Sequence, residues 1–371
     1  MEPALYIGVM SGTSLDGVDT VLVEMRDQRV SLIASDCYPM PDSLKDELLS
    51  VCLGQATSLK QIGRLDHLLG HLFADAIHQL LERENIVPEK VTAIGNHGQT
   101  VFHQPEGDTP FTLQLGDANI IAAKTGITTV ADFRRKDMAL GGQGAPLVPA
   151  FHRNLFSQQD SSTVVLNIGG IANISVLRPN STVLGFDTGP GNMLMDAWVS
   201  QHLGEKFDKD AAFAQRGTVN RELLGQLLKD PYLAQSYPKS TGREHYNLPW
   251  LQTQLSLLSQ PLSPENVQAT LLEFTAVTIA TDVLRFAVGT TPQLLVCGGG
   301  ACNPLLMSRL ASLLPDWRVG NTRDEGGDPD YMEAMAFAWL AHQRIHNLPS
   351  NIPEVTGASK PASLGVIYPA D

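Results

Sequence analysis

The sequence predicts an α/β protein built from a duplicated domain with a cleft between the halves. Three observations predict it. Apolar runs of strand length alternate with helical patterns along the chain. The order strand, Gly-rich turn, strand, strand, helix occurs twice, with copies starting about 160 residues apart, too long a period for a solenoid. Three Gly-rich turns each follow an apolar strand, the position at which α/β proteins gather ligands.

The first copy opens with an apolar run, 5–10, that meets a turn rich in Ser, Gly and Asp. β-branched and apolar residues at 18–23 and 30–34 read as the next strands. Residues 41–52 have helical spacing, with Pro41 and Asp42 as start signals. A long helical pattern covers 59–84 and breaks before Pro88. A short strand at 91–95 runs into the loop GNHGQT, a helix is expected over 113–125, and a strand over 127–131. The second copy places strands at 163–168, 172–177 and 183–186 and a helix at 192–202. A strong helix follows at 264–288, with Ser263 as its cap and Glu265 in its first turn. A strand at 294–297 enters GGG, and 330–345 is a further helix. The tail 349–371 is rich in Pro, Ser and Gly, but its apolar run 363–368 is expected to dock. The expected division is 1–131 with about 346–371 as the first domain, and 132–345 as the second, carrying the second and third Gly-rich turns.

Bulk properties narrow the function. The chain has 371 residues, 43% hydrophobic and 18% charged, enough to build a sizeable core. Its formal net charge is −13, and the densest basic stretch is only Arg134, Arg135 and Lys136. Nucleic acid and anionic membrane are therefore not expected partners. A phosphorylated ligand must be held by local dipoles, a metal ion or a few cations. The cysteines, Cys37, Cys52, Cys297 and Cys302, include no C-x-x-C pair and read as free buried thiols in a reducing compartment. The N-terminus resembles neither a signal peptide nor an anchor. The apolar helical stretch 271–288 contains Glu273, Asp282 and Arg285 and does not read as a membrane span. A soluble, cytoplasmic protein is expected.

Five motifs carry the chemistry. In GVMSGTSLDGVD, a tight turn of small residues exposes backbone N–H groups that cradle phosphate oxygens. Gly12, Thr13, Ser14, Leu15, Asp16, Gly17, Val18 and Asp19 are the candidates, with Asp16 and Asp19 suited to orient Mg²⁺ through water. It is neither a Walker A loop nor a Rossmann fingerprint, and alone it reads better as an ordinary hairpin turn. The second motif, NIGGIANIS with Gly169 and Gly170, occupies the equivalent turn of the second copy. The third, VCGGGACN, gives Gly298, Gly299, Gly300 and Asn303 as a bare backbone surface for adenosine. The fourth, GFDTGPGN, holds Asp187, either a helix cap or, between two phosphate loops, a general base. The fifth is a looser set of polar groups at strand ends and helix starts: Asn96, His97, Gln99 and Thr100; Asp132, Arg134 and Arg135; Glu325, Asp328, Asp330 and Glu333. As a set these suit a polar sugar. The pairs His67/His71 and His342/His346 lack a third ligand and do not read as a zinc site.

The duplicated hairpin loops and the GGG loop resemble the actin, hexokinase and heat-shock ATPase superfamily, which implies two ribonuclease-H-like domains flanking an ATP cleft. The motifs GVMSGTSLDGVD, NHGQT, LQLGD, VADFR, GGQGAPLVP, NIGGIANI, GFDTGPGN, CGGGACNP, MEAMAFAWLA and LGVIYP resemble, more narrowly, the anhydro-N-acetylmuramic acid kinase family. That resemblance spans nearly the whole chain. It implies ATP-dependent opening of the internal 1,6 bond of 1,6-anhydro-N-acetylmuramic acid and phosphorylation of O6, in bacterial cell-wall turnover. It further implies Asp187 as the base that activates water, the first loop as the holder of the ATP phosphates, and Glu333 with one of Arg134 or Arg135 on the sugar and its lactyl carboxylate. ATP, Mg²⁺ and a homodimer are what the resemblance implies as cofactors and assembly. A kinase for another anhydrosugar, such as levoglucosan, and a non-catalytic actin-like ATPase are the alternatives.

Overall fold

The computed structural model describes residues 3–12, 15, 17–26, 29–52, 54–237, 239–242 and 245–370. In chain order its elements begin with β1 (Ala4–Ser11), β2 (Gly17–Arg26), β3 (Arg29–Pro39), α1 (Asp42–Cys52) and α2 (Leu59–Glu84). Next come β4 (Val91–Gln104), β5 (Phe111–Leu115), α3 (Ala118–Thr125), β6 (Thr129–Ala131), α4 (Arg135–Ala139) and α5 (Val148–Phe156). Then follow β7 (Thr163–Ile168), β8 (Ile171–Leu177), β9 (Leu184–Pro190), α6 (Met193–Leu203), α7 (Arg221–Leu227), α8 (Leu248–Ser256) and α9 (Pro264–Leu284). The last are β10 (Gln293–Cys297), α10 (Pro304–Leu313), β11 (Arg318–Asn321), α11 (Met332–Ile345), α12 (Pro353–Thr356) and β12 (Val366–Tyr368).

The chain forms two compact units, Met1–Leu155 with Gly326–Asp371, and Phe156–Glu325. In the first, the sheet order is β12-β6-β4-β1-β2-β3, with β5 paired to β4. β1, β2 and β3 form an antiparallel meander, while β4 runs parallel to β1 and β6 parallel to β4. In the second unit the order is β11-β10-β7-β8-β9. There β7, β8 and β9 form the antiparallel meander, with β10 parallel to β7 and β11 parallel to β10. The two units thus share one strand order, that of a ribonuclease-H-like domain, and the duplication expected from the sequence is the fold.

Local sequence explains the main helices. α2 starts where the Ser58 side chain accepts from the Gln61 N–H and stops at Asn85 in the left-handed conformation. Its buried residues Leu65, Leu69, Phe73, Ala76 and Leu80 recur at three- and four-residue spacing and pack into the core of β1 and β2. Ser263 caps α9 by accepting from the Asn266 N–H. By length and composition α9 could cross a membrane, but 83% of its apolar window is buried inside this unit. It is apolar on every side because protein surrounds it.

Two elements differ from the sequence expectation. The segment 95–100 is not a loop: β4 continues to Gln104, because 99–104 finds backbone partners on β5. For the same reason 111–115 is a strand, and only Ala118–Thr125 of the expected helix is helical, starting after the Asp117 side chain caps it. The boundary between units also lies elsewhere than 131/132 and 345/346. α11 belongs to the first unit because Gly8 and Gly95, paired side by side in β1 and β4, let its backbone lie on the sheet. A Cβ on Gly8 would stand 1.8 Å from the Ala334 carbonyl oxygen, and one on Gly95 2.0 Å from that of Phe337. Of the thiols only Cys297 is buried; Cys37, Cys52 and Cys302 are exposed. Cys37 lies on the edge strand β3, Cys52 at a helix end and Cys302 in the turn before α10, places the core does not cover.

The tail docks. β12 pairs antiparallel with β6. Upstream of it, the fully buried Asp137 accepts from Asn351 Nδ2 and Thr356 Oγ1, both at 2.8 Å.

Candidate active site

In the first unit the meander turn between β1 and β2 is the first candidate loop. Thr13, Ser14 and Asp16 lie outside the described residues. The Gly12 carbonyl accepts from the Leu15 N–H, and Leu15 sits at φ 56 with its side chain in the core. Val18 is also fully buried, so these two residues offer a ligand only backbone. Gly17 packs against Cys37 and Tyr38, where a Cβ would fall 2.7 Å from Cys37 Sγ. Gln99 is buried: its Oε1 accepts from Ser11 Oγ at 2.6 Å and its Nε2 donates to the Thr100 carbonyl at 3.2 Å. It therefore braces the end of β1 just ahead of the loop.

His97, on β4, is buried against Phe337, with ring centroids 4.6 Å apart. Its Nδ1 lies 2.7 Å from the Gly98 carbonyl. Its Nε2 receives Arg134 Nε at 3.2 Å and Nη2 at 2.9 Å. Arginine only donates, so Nε2 is the acceptor and the proton sits on Nδ1, donated to Gly98. Burial, reinforced by the Arg134 charge, pushes the His97 pKa down to about 3. Arg134 Nη1 donates to the Gly144 carbonyl at 2.9 Å, which ties this side chain to the GGQGAP loop. Arg135 points elsewhere: it is exposed, pairs with Asp132 at 2.9 Å, and borders a 320 Å³ pocket with Asp66, Asn96, His97, Asp117 and Asp132. Arg134 is the cap of α4 and Arg135 its first residue, and successive helical residues point about 100° apart, so only one of the two faces His97.

Glu333 opens α11. Its side chain reaches solvent, yet the surrounding protein pushes its pKa up, with Arg134 opposing the rise and Asp19 adding to it. Burial also raises Asp19, and Asp330 adds to that rise. Asp19, Asp330 and Glu333 thus form one anionic neighbourhood beside the first loop, with Arg134 as its cation.

In the second unit, Gly169 and Gly170 turn from β7 into β8. Their carbonyls accept from Asn192 N–H (2.8 Å), and from Gly191 and Met193 N–H (2.9 and 3.1 Å). Asn192 Nδ2 also donates to the Ile168 carbonyl. Gly298 sits at φ 76, where a Cβ would meet Asn167 Oδ1 at 2.3 Å, and a Cβ on Gly300 would meet Ile168. The second and third Gly motifs therefore pack on one another. Asn303 caps α10 by accepting from the Leu306 N–H at 3.0 Å.

Asp187 lies inside β9, five residues before the cap of α6, and does not cap that helix. Its Oδ2 accepts from Ser240 Oγ at 2.8 Å and from the Thr241 N–H at 3.0 Å. Its own N–H donates to the Lys239 carbonyl, and its carbonyl accepts from Tyr232 Oη at 2.7 Å. Sequence reading missed Tyr232, Lys239, Ser240 and Thr241, because 228–247 has no periodicity to mark them.

The family model described as "Anhydro-N-acetylmuramic acid kinase" matches residues 4–370. A relative of that name from Vibrio parahaemolyticus is 70% identical over 98% of both chains. Another, from Vibrio cholerae, is 63% identical over the full length of both. Among solved structures, the (R)-2-hydroxyglutaryl-CoA dehydratase component A of Acidaminococcus fermentans covers 92% of this chain and 99% of its own, at 10% identity and a TM-score of 0.47. A likeness that distant decides nothing about this chain.

Proposed function

The chain belongs to the anhydro-N-acetylmuramic acid kinase family, and on that premise we propose how its residues carry the reaction. It is an ATP-dependent sugar kinase. Its substrate is 1,6-anhydro-N-acetylmuramic acid, and its products are N-acetylmuramate 6-phosphate and ADP, a step of peptidoglycan recycling. Water attacks C1 and gives its proton to Asp187. The C1–O6 bond breaks, O6 forms a bond to the γ-phosphorus, and the β,γ-bridging oxygen leaves with ADP. Glycosidases ordinarily need a second carboxylic acid to protonate the leaving oxygen. Here the phosphoryl group captures it, so a single carboxylate base suffices.

The observation that carries this reading is the Asp187 carboxylate, fixed at Oδ2 by two donors from Ser240 and Thr241. A base held in one orientation meets the geometric demand of proton abstraction. The first-unit set suits the sugar: Arg134 for the lactyl carboxylate, with His97 and Glu333 for its polar groups and Gln99 supporting the strand end. Arg135, already paired with Asp132, is the weaker candidate. Gly12 to Asp19 and Gly169–Gly170 are assigned to the phosphates, and Gly298 to Gly300 with Asn303 to adenosine, where the exposed Gly299 leaves backbone open to a flat base.

Mg²⁺ fits the donor chemistry beside the first loop. Asp330 adds to the rise in the Asp19 pKa, and Asp19 to the rise in that of Glu333, and a cation relieves that repulsion. Mg²⁺ keeps several waters and binds phosphate oxygens, so one or two carboxylates suffice to hold it. When bound, it neutralises charge on the transferring phosphoryl group. Asp16 and Asp19 are assigned to it through water. A cytoplasmic homodimer acting on a small sugar, with no nucleic-acid or membrane partner, completes the reading; sedimentation at micromolar concentration tests the dimer.

The test of the reaction is mass spectrometry of products formed from Mg²⁺·ATP and 1,6-anhydro-N-acetylmuramic acid in ¹⁸O-labelled water. One label at the anomeric oxygen of a 6-phosphate is expected. An unlabelled phosphorylated product excludes attack by water, and no product removes this substrate.

A further inference from the structure

Lys239 is buried in the second unit, with its side chain 2% exposed, and it faces Asp282 of α9, itself 5% exposed, at 3.4 Å. Its Nζ also donates to the Leu233 carbonyl at 3.3 Å and stands 5.0 Å from the Tyr232 ring centroid. Taking an ammonium and a carboxylate out of water is costly, and an apolar side chain would fill the same space without that cost. A buried pair gives something an apolar contact does not, a directional tether between two chain segments. Its place makes the tether informative. The Lys239 carbonyl receives the Asp187 N–H at 3.1 Å. The next two residues, Ser240 and Thr241, supply the two donors on Asp187 Oδ2. Tyr232, against which the ammonium packs, donates to the Asp187 carbonyl. At its far end Asp282 is also held by Arg285 Nη1 at 3.1 Å, and α9 is enclosed by the core.

We propose that Lys239 is a positioning residue for Asp187: the Lys239–Asp282 pair anchors the 239–241 segment to α9 and thereby fixes the two donors that orient the Asp187 carboxylate. This rests on the reading of Asp187 as the base. Loss of the tether frees the segment, and a misplacement of about 1 Å at a reacting group costs as much as 10²-fold in rate.

The experiment is steady-state kinetics and thermal unfolding of four variants of the full chain. Lys239→Met leaves the buried Asp282 with Arg285 as its remaining cation, a partner on its own helix, and is expected to lose stability. Lys239→Met/Asp282→Leu removes both charges and is expected to regain it. Ser240→Ala removes one donor at an exposed position without touching the buried pair. In the double variant kcat is expected to fall roughly tenfold to a hundredfold, with KM for ATP and sugar within about twofold, and Ser240→Ala is expected to lower kcat by a smaller factor on the same pattern. A folded double variant with unchanged kcat overturns the proposal, and so does a Ser240→Ala variant with unchanged kcat, which needs no change in the buried pair. Asp187→Asn, measured alongside, separates the two readings. If it retains turnover, the base assignment fails whatever Lys239 does; if it is dead while the double variant and Ser240→Ala are fully active, only the positioning role fails.

Discussion

Arg134 presents two of its N–H groups, Nε and Nη2, to a single atom, Nε2 of His97, at 3.2 and 2.9 Å. The arrangement fixes the imidazole as a neutral ring with its proton on Nδ1, and it fixes the guanidinium plane in return. Lysine cannot reproduce it, because its ammonium is a point charge with no planar fork. Arg134→Lys is therefore expected to raise KM for the sugar by about tenfold, the equivalent of about 1.4 kcal/mol, while KM for ATP stays within about twofold. Arg135→Lys, at an exposed ion pair worth about 0–1 kcal/mol, is expected to change neither. Steady-state kinetics with each substrate varied in turn checks both.

The buried histidines predict the direction of the acid response. Burial and the Arg134 charge push His97 down to about 3, and burial alone does the same to His152. Both lie below the ordinary value of 6.5, so between about pH 3 and 6.5 the unfolded chain binds protons that the folded chain does not. Their contribution to stability is complete above about pH 6.5 and is lost as pH falls toward 3. Urea midpoints measured from pH 7 to pH 4 are expected to decline, and His152→Gln is expected to flatten that decline. An equal slope in the variant would remove His152 from the account.

Gly8 and Gly95 predict a steric effect with no chemistry in it. A methyl group at either position meets a backbone carbonyl of α11 within 2.0 Å, and backbone cannot swing aside as a side chain tip can. Gly95→Ala is expected to cost about 3 kcal/mol, read as a lowered midpoint in thermal unfolding. Gly225→Ala, on α7 where a Cβ meets nothing within 4 Å, is the control and is expected to leave stability equal or slightly higher.

Asp137 connects the tail to the Gly144 loop that holds Arg134. It accepts from Asn351, Thr356 and the Gly144 N–H, and the Gly144 carbonyl in turn accepts from Arg134. Asp137→Ala leaves the Gly144 N–H without its acceptor and leaves Asn351 and Thr356 only their longer bonds to the Lys360 and Ile352 carbonyls; a buried donor left unsatisfied costs about 1–3 kcal/mol. Faster proteolysis of the 346–370 segment and a raised KM for the sugar are expected together. A change in proteolysis with unaltered KM would show that the Gly144 loop does not depend on Asp137.

Asp187→Asn is expected to lower ring opening and phosphoryl transfer together by roughly a thousandfold, with the thermal midpoint unchanged. Separate loss of one half-reaction, seen as ATP hydrolysis without sugar cleavage, would show that the two steps use different groups.

Much of this was legible in the chain. The spans 59–84 and 163–168 coincide with α2 and β7, because apolar periodicity and caps are local signals that tertiary contacts here do not override. The strand β5 was not legible, since its apolar residues suit helix and strand alike and only pairing with β4 decides between them. Arg134 and Arg135 are identical neighbours in sequence, and only the folded chain shows that His97 and the Gly144 carbonyl hold the first while the second stays exposed beside Asp132. Tyr232, Lys239, Ser240 and Thr241 lie in a stretch without period, so nothing local connects them to Asp187.

By itself the sequence determined the duplicated α/β order, the Gly-rich turns at the strand ends and the family, since each is written in contiguous residues whose backbone preferences are local. Only the tertiary structure decided which side chains meet. α11 joins the first unit, His97 becomes a neutral acceptor for Arg134, and Asp187 is clamped from 239–241. Each depends on contacts between residues far apart in the chain, and a long-range contact has no local propensity from which it can be read.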